Sequence, residues 1–324
     1  MHGWIIVDKP LGLGSTQVVS AVKRALRQGG YGKFKVGHGG TLDPLATGVL
    51  PVAVGEATKL AGRMLDSDKV YAFTIRFGEQ TDTLDAEGVV IATSDVRPTL
   101  AQVEAVLPRF TGPIAQVPPA YSALKIDGER AYDLARAGED VVLASRNVTI
   151  HALHSSPARG EGPAQLVEGQ PSSAARAAAP PPAANAGGPP PDEVTLTAHV
   201  SKGTYIRSLA RDIALALGTV GHVTMLRRTK AGPFTLAPAI SLDKLAEAGM
   251  ARTLEHLLLP LRAGLDDIPA LPLSPDQAGA LRQGRVLTGI AKDDGQYFAC
   301  DGDKPVALIE VEGYEARVVR GFNL

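Results

Sequence analysis

Between Gly37 and Gly55 the chain reads GHGGTLDPLATGVLPVAVG and carries one acid, Asp43, directly before Pro44. Proline disfavours the helical region for the residue before it, so Asp43 is expected in extended backbone. Gly37, Gly39 and Gly40 let the chain pass close to a ligand or to other backbone. Leu42, Leu45, Val49 and Leu50 make the surroundings apolar. A carboxylate on such a loop can serve as a nucleophile or a general base. Asp before Pro also commonly opens a turn, and the residue types alone favour that plainer reading. Two further groups invite chemistry. SKGTYIRSLARDIALALG, residues 201–218, puts Tyr205 and Arg207 at the first turn of an expected helix. A guanidinium there can neutralise a carboxylate, contact phosphate or lie on the surface. KVYAF, residues 69–73, places Tyr71 in a strand with apolar alternate positions. Such a ring is usually core, but at a site it can stack on a base.

Other chemistries lack their residues. A phosphate-binding P-loop needs four residues between its glycines and then Gly-Lys-Ser/Thr. Gly48 and Gly55 are too far apart, and Glu56 stands in the lysine position. No helical pattern follows Gly37–Gly40, against a dinucleotide fingerprint, and HExxH is absent. The seven histidines are scattered and Cys300 is the sole cysteine, so neither a disulfide framework nor a Cys-based zinc site is expected. The expectation is a protein without metal or cofactor, in a reducing cytoplasm. No apolar run approaches the ~18 residues of a membrane span. MHGWIIVDKPLG has no signal-peptide pattern.

The elements that must position these groups can be read from periodicity. WIIVD, residues 4–8, is β-rich. Ser15 precedes Val18, Val19, Val22 and Leu26, a helical apolar face stopped by Gly29-Gly30. Val70–Phe77 alternates as a strand. Thr99 begins a helix with Leu100, Val103 and Val106 turned inward, and residues 129–137 form a short helix ended by Gly138. Asn147–His154 and Glu193–Val200 are β runs expected to pair. Thr204–Leu217 is helical, with Leu209, Ile213 and Leu217 on one face. Between the paired runs lies an Ala/Pro/Gly-rich stretch without aromatics, residues 156–192. It cannot bury enough apolar surface to offset its ordering entropy and is expected to be a disordered insertion at a hairpin tip. Beyond about residue 269, a short helix and alternating runs at 296–299, 305–311 and 316–322 suggest a small, mostly antiparallel β domain.

Net charge is −1, yet the charges are unevenly spread. Residues 1–70 hold nine Lys/Arg against five Asp/Glu, and residues 201–232 hold six against Asp212 alone. From residue 261 the balance is acidic by ten to seven. A chain neutral in sum can still present a basic face to a phosphate backbone. Charge alone equally fits ordinary solvated side chains.

GHGGTLDPLATGVLPVAVGEATK resembles the signature of the TruB-type tRNA pseudouridine synthases. The resemblance extends in order through WIIVDKPLGLGS, KVYAFTIRFGEQTDTLDAEG, QVPPAYSALKIDGERAYDLARAG and VSKGTYIRSLARDIALALGTVGHVTMLRRTKAGPF. These segments cover roughly residues 3–150 and 193–235, and the tail is similar to the family's PUA-like domain. The resemblance implies an α+β fold: a central mixed or antiparallel sheet with flanking helices over residues 1–265, then a PUA-like domain over 266–324. It implies isomerisation of uridine 55 in the T loop of tRNA, by a cytoplasmic monomer. Asp43 matches the family's catalytic aspartate, Tyr71 the tyrosine that stacks on the target uracil, and Arg207 the arginine paired with the aspartate. His38, Tyr205 and Leu226 match the nucleotide pocket, and Lys202 belongs to the same substrate-binding set. Lys9 and Pro10 fall on the first motif, whose role is structural. Gly39 stands where the family usually shows Thr or Ala, a change expected to loosen the loop. Two alternatives stay open: a guide-dependent rRNA modifier, and a non-catalytic chaperone that grips the T arm.

Overall fold

The computed structural model describes residues 1–122, 124–126, 128–138, 141, 143–156 and 192–324. The Ala/Pro/Gly-rich insertion, apart from its two end residues, lies outside them. A ten-stranded sheet forms the body. Its main path runs Leu259–Pro260, Gly3–Lys9, Ala46–Val54, Gly221–Ala231, Lys69–Phe77, Glu193–Val200, Arg146–Ser155, Gly112–Gln116. Val36–His38 and Phe234–Thr235 pair beside this path. Only Ala46–Val54 against Gly221–Ala231 is parallel, so the sheet is mixed and mostly antiparallel.

Local chemistry accounts for the helices. In Ser15–Gln28, Val18, Val22 and Leu26 recur on one buried face. Thr99 caps Leu100–Val106 reciprocally with Gln102: the Gln102 amide donates to the threonine hydroxyl, and the Thr99 amide to the Gln102 side chain. Leu100, the first helical residue, is nevertheless exposed, while Val103 and Val106 are buried. The strand pair Arg146–Ser155 and Glu193–Val200 forms as expected. The expected helix 129–137 is shorter, Ala131–Arg136, because Glu129 and Arg130 pair with the backbone of Lys125 and Ile126.

Alternation along the central strands sends Phe73, Ile75 and Phe77, with Val194, Leu196, Ala198 and Val200, into one core. The helix Ile206–Ala216 covers it with Leu209, Ala210 and Ile213. Each large apolar side chain fully removed from water stabilises the fold by ~1.5–3 kcal/mol. A second cluster packs Ser15–Gln28 and Leu242–Ala251 over the other end of the sheet.

The tail forms a five-stranded sheet ordered Ala270–Pro272, Gly295–Asp301, Lys304–Glu312, Glu315–Gly321, Leu287–Thr288. Only its first pair is parallel. Phe298, Leu308 and Phe322 share an apolar cluster with Trp4, Leu261 and Phe234 of the main body, so the two sheets are joined by packing. Among the described residues no helix is long and apolar enough to cross a membrane.

Candidate active site

The loop that carries Asp43 is fixed from four sides. Ser15 accepts from the Leu42 amide at 2.8 Å and donates to its carbonyl at 3.2 Å. Lys9, fully buried, donates to the carbonyls of Leu13 at 2.5 Å, Pro10 at 3.0 Å and Pro44 at 3.2 Å. Arg228, 1% exposed, donates to Val49, Gly40 and Thr41 carbonyls at 2.8, 3.1 and 3.3 Å. The Asp43 carbonyl accepts from the Ala46 amide at 3.0 Å. Asp43 therefore does open a turn, with Pro44 in its second position. The plain reading is met, and the turn leaves the side chain free to point into a cleft.

Glycine is required twice. Gly48 has φ +100°, and a Cβ there would lie 2.1 Å from the Arg228 carbonyl across the parallel strand pair. At Gly39 a Cβ would sit 2.5 Å from Cβ of Met64. Gly39 is buried against Met64, which fills the space a methyl would take.

Asp43 Oδ2 receives Nη2 of Arg207 at 2.9 Å. Arg207 is the second residue of the helix Ile206–Ala216, and Tyr205 is the N-cap rather than part of the first turn. Gln116, fully buried at the end of the edge strand Gly112–Gln116, holds Tyr205: its side chain accepts from the Tyr205 amide at 2.8 Å and donates to the Tyr205 carbonyl at 3.1 Å. The Arg207 guanidinium has three more acceptors: the Thr83 carbonyl at 2.9 Å, the Tyr121 carbonyl at 3.1 Å and Oδ2 of Asp85 at 3.2 Å. The side chains of Arg207 and Asp85 are 9% and 10% exposed, that of Asp43 47%. One buried cation thus joins a buried acid to an accessible one.

These groups face a cleft of about 360 Å³. Asp43, Tyr71, Tyr205, Arg207 and Leu226 all line it, along with Lys69 and Arg228. Tyr71 and Leu226 rest on both core clusters, which keeps them rigid at the cleft floor. Burial and then the neighbouring Arg228 push the Lys69 ammonium down to about 8. Its Nζ is held by the carbonyls of Met64 at 2.9 Å, Leu65 at 2.7 Å and Ser67 at 2.5 Å. Burial raises the Tyr205 phenol above its ordinary value. Asp43 shares this wall with three cations, Arg207, which it pairs with, and Lys69 and Arg228, so the cleft suits an anionic ligand.

Two expected residues do not line the cleft. Lys202 is exposed at its edge and pairs with Asp66 at 3.0 Å. His38 lies in the strand leading into the Asp43 loop, half-buried, its Nδ1 without a hydrogen-bond partner among the described residues. Burial and then Arg228 lower the His38 pKa below 6.5. The folded state therefore binds a proton there less readily than the unfolded state, and the stability tied to neutral His38 is lost as pH falls below 6.5. Urea midpoints compared at pH 7.5 and 5.5 are expected to drop less in His38→Gln than in the wild type; equal drops would overturn this.

Asp85, Gln116, Lys69 and Arg228 were not singled out by sequence. Asp85 had a signal, as the second acid of TDTLD inside a matched motif. Gln116 and Arg228 also fall inside matched motifs, but they act through contacts to residues far away in the chain.

Comparison with known proteins places the chain in a family. Residues 23–166 match the TruB family pseudouridylate synthase N-terminal domain, and residues 207–266 the tRNA pseudouridylate synthase B C-terminal domain. The chain is 64% identical over 324 residues to tRNA pseudouridine synthase B of Novosphingobium aromaticivorans, covering 100% of this chain and 98% of that protein. It is 58% identical to that of Zymomonas mobilis, covering 100% and 96%. Among solved structures, the Nop10–Cbf5 complex of an archaeal box H/ACA sRNP shares the fold, with a TM-score of 0.67 at 22% identity over 99% of this chain and 86% of that one. With both family domains matched and near-complete relatives at such identity, the chain belongs to the TruB family of pseudouridylate synthases.

Proposed function

We propose that this protein isomerises uridine 55 in the T loop of tRNA to pseudouridine, with Asp43 as the reacting carboxylate. The observation that carries the reading is the Asp43–Arg207 pair at 2.9 Å in a cleft walled by Tyr71 and Leu226. The reaction breaks the N1–C1′ bond, turns the base and joins C5 to C1′. C5 loses a proton and N1 ends with one, so atoms and electrons balance without an external reactant. Asp43 acts as a nucleophile or removes a proton from the sugar, and both roles need its charged form.

The uridine must first leave its stack, at a cost of a few kcal/mol. Stacking on Tyr71 returns ~1–3 kcal/mol. Lys69 and Arg228 give the cleft the positive wall that a phosphodiester needs. Arg207 orients the carboxylate from behind, and Tyr205 closes the pocket at the helix start. Residues 1–265 act as the catalytic domain and 266–324 as a PUA-like tail, in a cytoplasmic monomer that takes the T arm as its partner.

Incubation with an unmodified tRNA transcript and no guide RNA tests the reading. Pseudouridine is expected at position 55, and none in a transcript with cytidine there. Tight binding without product would overturn the enzyme reading in favour of a chaperone, and product only with added guide RNA would favour the guide-dependent class.

A further inference from the structure

The fold brings together two of the histidines that are scattered in the sequence. His151 Nε2 lies 3.1 Å from Oδ2 of Asp68, and His199 Nε2 lies 3.8 Å from the same oxygen. The two imidazole rings are 4.8 Å apart at their centroids. One ligand atom from each of the three residues falls within 4.8 Å of the others. We propose that Asp68, His151 and His199 form a binding site for a divalent transition-metal cation, Zn²⁺ foremost.

The chemistry of the donors fits. Imidazole nitrogen with a carboxylate oxygen suits Zn²⁺, Ni²⁺ or Cu²⁺ more than Mg²⁺ or Ca²⁺, which prefer oxygen alone. Bonds of ~2.0–2.2 Å to a tetrahedral ion put ligand atoms about 3.4 Å apart. The two separations to Asp68, 3.1 and 3.8 Å, bracket that value, and the two imidazoles would have to turn toward a common ion. Three protein ligands on a part-exposed surface leave the fourth position to water or to a group from a partner.

The backbone aims the ligands. Along Glu193–Val200, Val194, Leu196, Ala198 and Val200 enter the core, which turns His199 to the opposite face of the sheet. On the adjacent strand Ile150 pairs with Val200 and Ala152 with His199, so His151 is the extra residue of a β-bulge. A bulge re-aims the side chain it carries, and here it sets His151 beside His199. Asp68 closes the group from the loop before Lys69–Phe77.

The electrostatics also favour a cation. A cavity of about 540 Å³ adjoins Asp68 and His199. Its wall carries the carboxylates of Asp66, Asp68, Asp266 and Asp267 against Arg63 and Lys230. Arg63 and Asp267 pair at 2.9 Å and Asp66 pairs with Lys202 at 3.0 Å, which leaves Asp68 and Asp266 as the wall's carboxylates outside these ion pairs.

The site is on the far face of the sheet from the Asp43 cleft but shares a segment with it. Asp68 directly precedes Lys69, whose ammonium is held by carbonyls of residues 64, 65 and 67. An ion at Asp68 would clamp that segment to the strand pair carrying His151 and His199. The expected effect is therefore on rigidity and thermal stability, not on the chemical step.

Tag-free full-length protein, stripped with EDTA, is titrated with Co²⁺ and then Zn²⁺. One equivalent of Co²⁺ is expected to give visible absorption bands of a low-symmetry site, displaced by Zn²⁺, and Zn²⁺ is expected to raise the melting temperature. His151→Gln and His199→Gln should each weaken Zn²⁺ binding at least ~10-fold. His154→Gln, exposed on the same strand, should leave it unchanged. Metal-free melting temperatures equal to wild type show that the variants fold. No Co²⁺ band, or equal Zn²⁺ affinity in wild type and His199→Gln, would overturn the site and leave a plain histidine–carboxylate ion pair.

Discussion

Asp43→Asn is expected to abolish pseudouridine formation, by at least ~10³-fold in single turnover, while tRNA affinity stays close to wild type. The substitution keeps shape and volume. The amide oxygen can still accept from Arg207, so the loop, its turn and the ties from Lys9, Ser15 and Arg228 are undisturbed. What disappears is the charge. A carboxamide is neither a nucleophile toward the sugar or base nor an acceptor for a carbon-bound proton. Binding should survive because the affinity for a polyanion comes from cations and stacking surfaces that remain. Removing an anion from a cleft walled by Lys69 and Arg228 can only make it more welcoming to phosphate. The measurement is product formation and filter binding on the same unmodified transcript, with a melting curve to show folding. Product at the wild-type rate would make Asp43 a turn residue and nothing more. Loss of binding and product together would mean that Asp43 organises the cleft instead of reacting in it.

How far such a site can be read from sequence depends on where its contacts lie along the chain. The helix from Ser15 to Gln28 is legible because its signals are local: an apolar face at helical spacing and a glycine pair at the end. The same holds for the Thr99 cap and for the pairing of Arg146–Ser155 with Glu193–Val200. Gly221–Ala231 is the opposite case. It is an eleven-residue strand at the centre of the sheet, yet MLRRTK reads as a solvated basic run. Arg228 escapes that reading because its partners, the carbonyls of residues 40, 41 and 49, are supplied by a distant loop and strand. Gly39 is a related case: the neighbour that fills the place of a methyl there is Met64, in the helix Ala61–Asp66. Asp43, Tyr71 and Arg207 are expected at the site because their motifs resemble a known family, not because spacing marks them, and the structure places all three on one cleft. Separately each also has a plain structural reading; only the fold makes them neighbours, and only the fold adds Asp85.

Arg207→Met should show what Asp85 adds. The wild-type guanidinium stands between two carboxylates and donates to two carbonyls besides. Its removal leaves Asp85, 10% exposed, charged and without its cation. Breaking a buried pair from one side costs ~3–5 kcal/mol, so the denaturation midpoint should fall accordingly. Product formation should fall by ~10²-fold or more, because Asp43 loses the donor that orients it. Those two losses have different origins, and Arg207→Met/Asp85→Asn separates them. The double variant carries no uncompensated buried charge, so much of the stability should return. The donor to Asp43 is still missing, so activity should not return with it. Arg207→Lys is expected to fall between, since an ammonium keeps the charge but lacks the planar fork that reaches both acids and both carbonyls. Recovery of activity along with stability in the double variant would reduce Arg207 to a structural residue. Normal stability in Arg207→Met would show instead that water and the donors Asp85 already has, the Thr83 hydroxyl at 2.6 Å and the Glu87 amide at 3.1 Å, suffice for it, and that the buried bridge does not hold the site together.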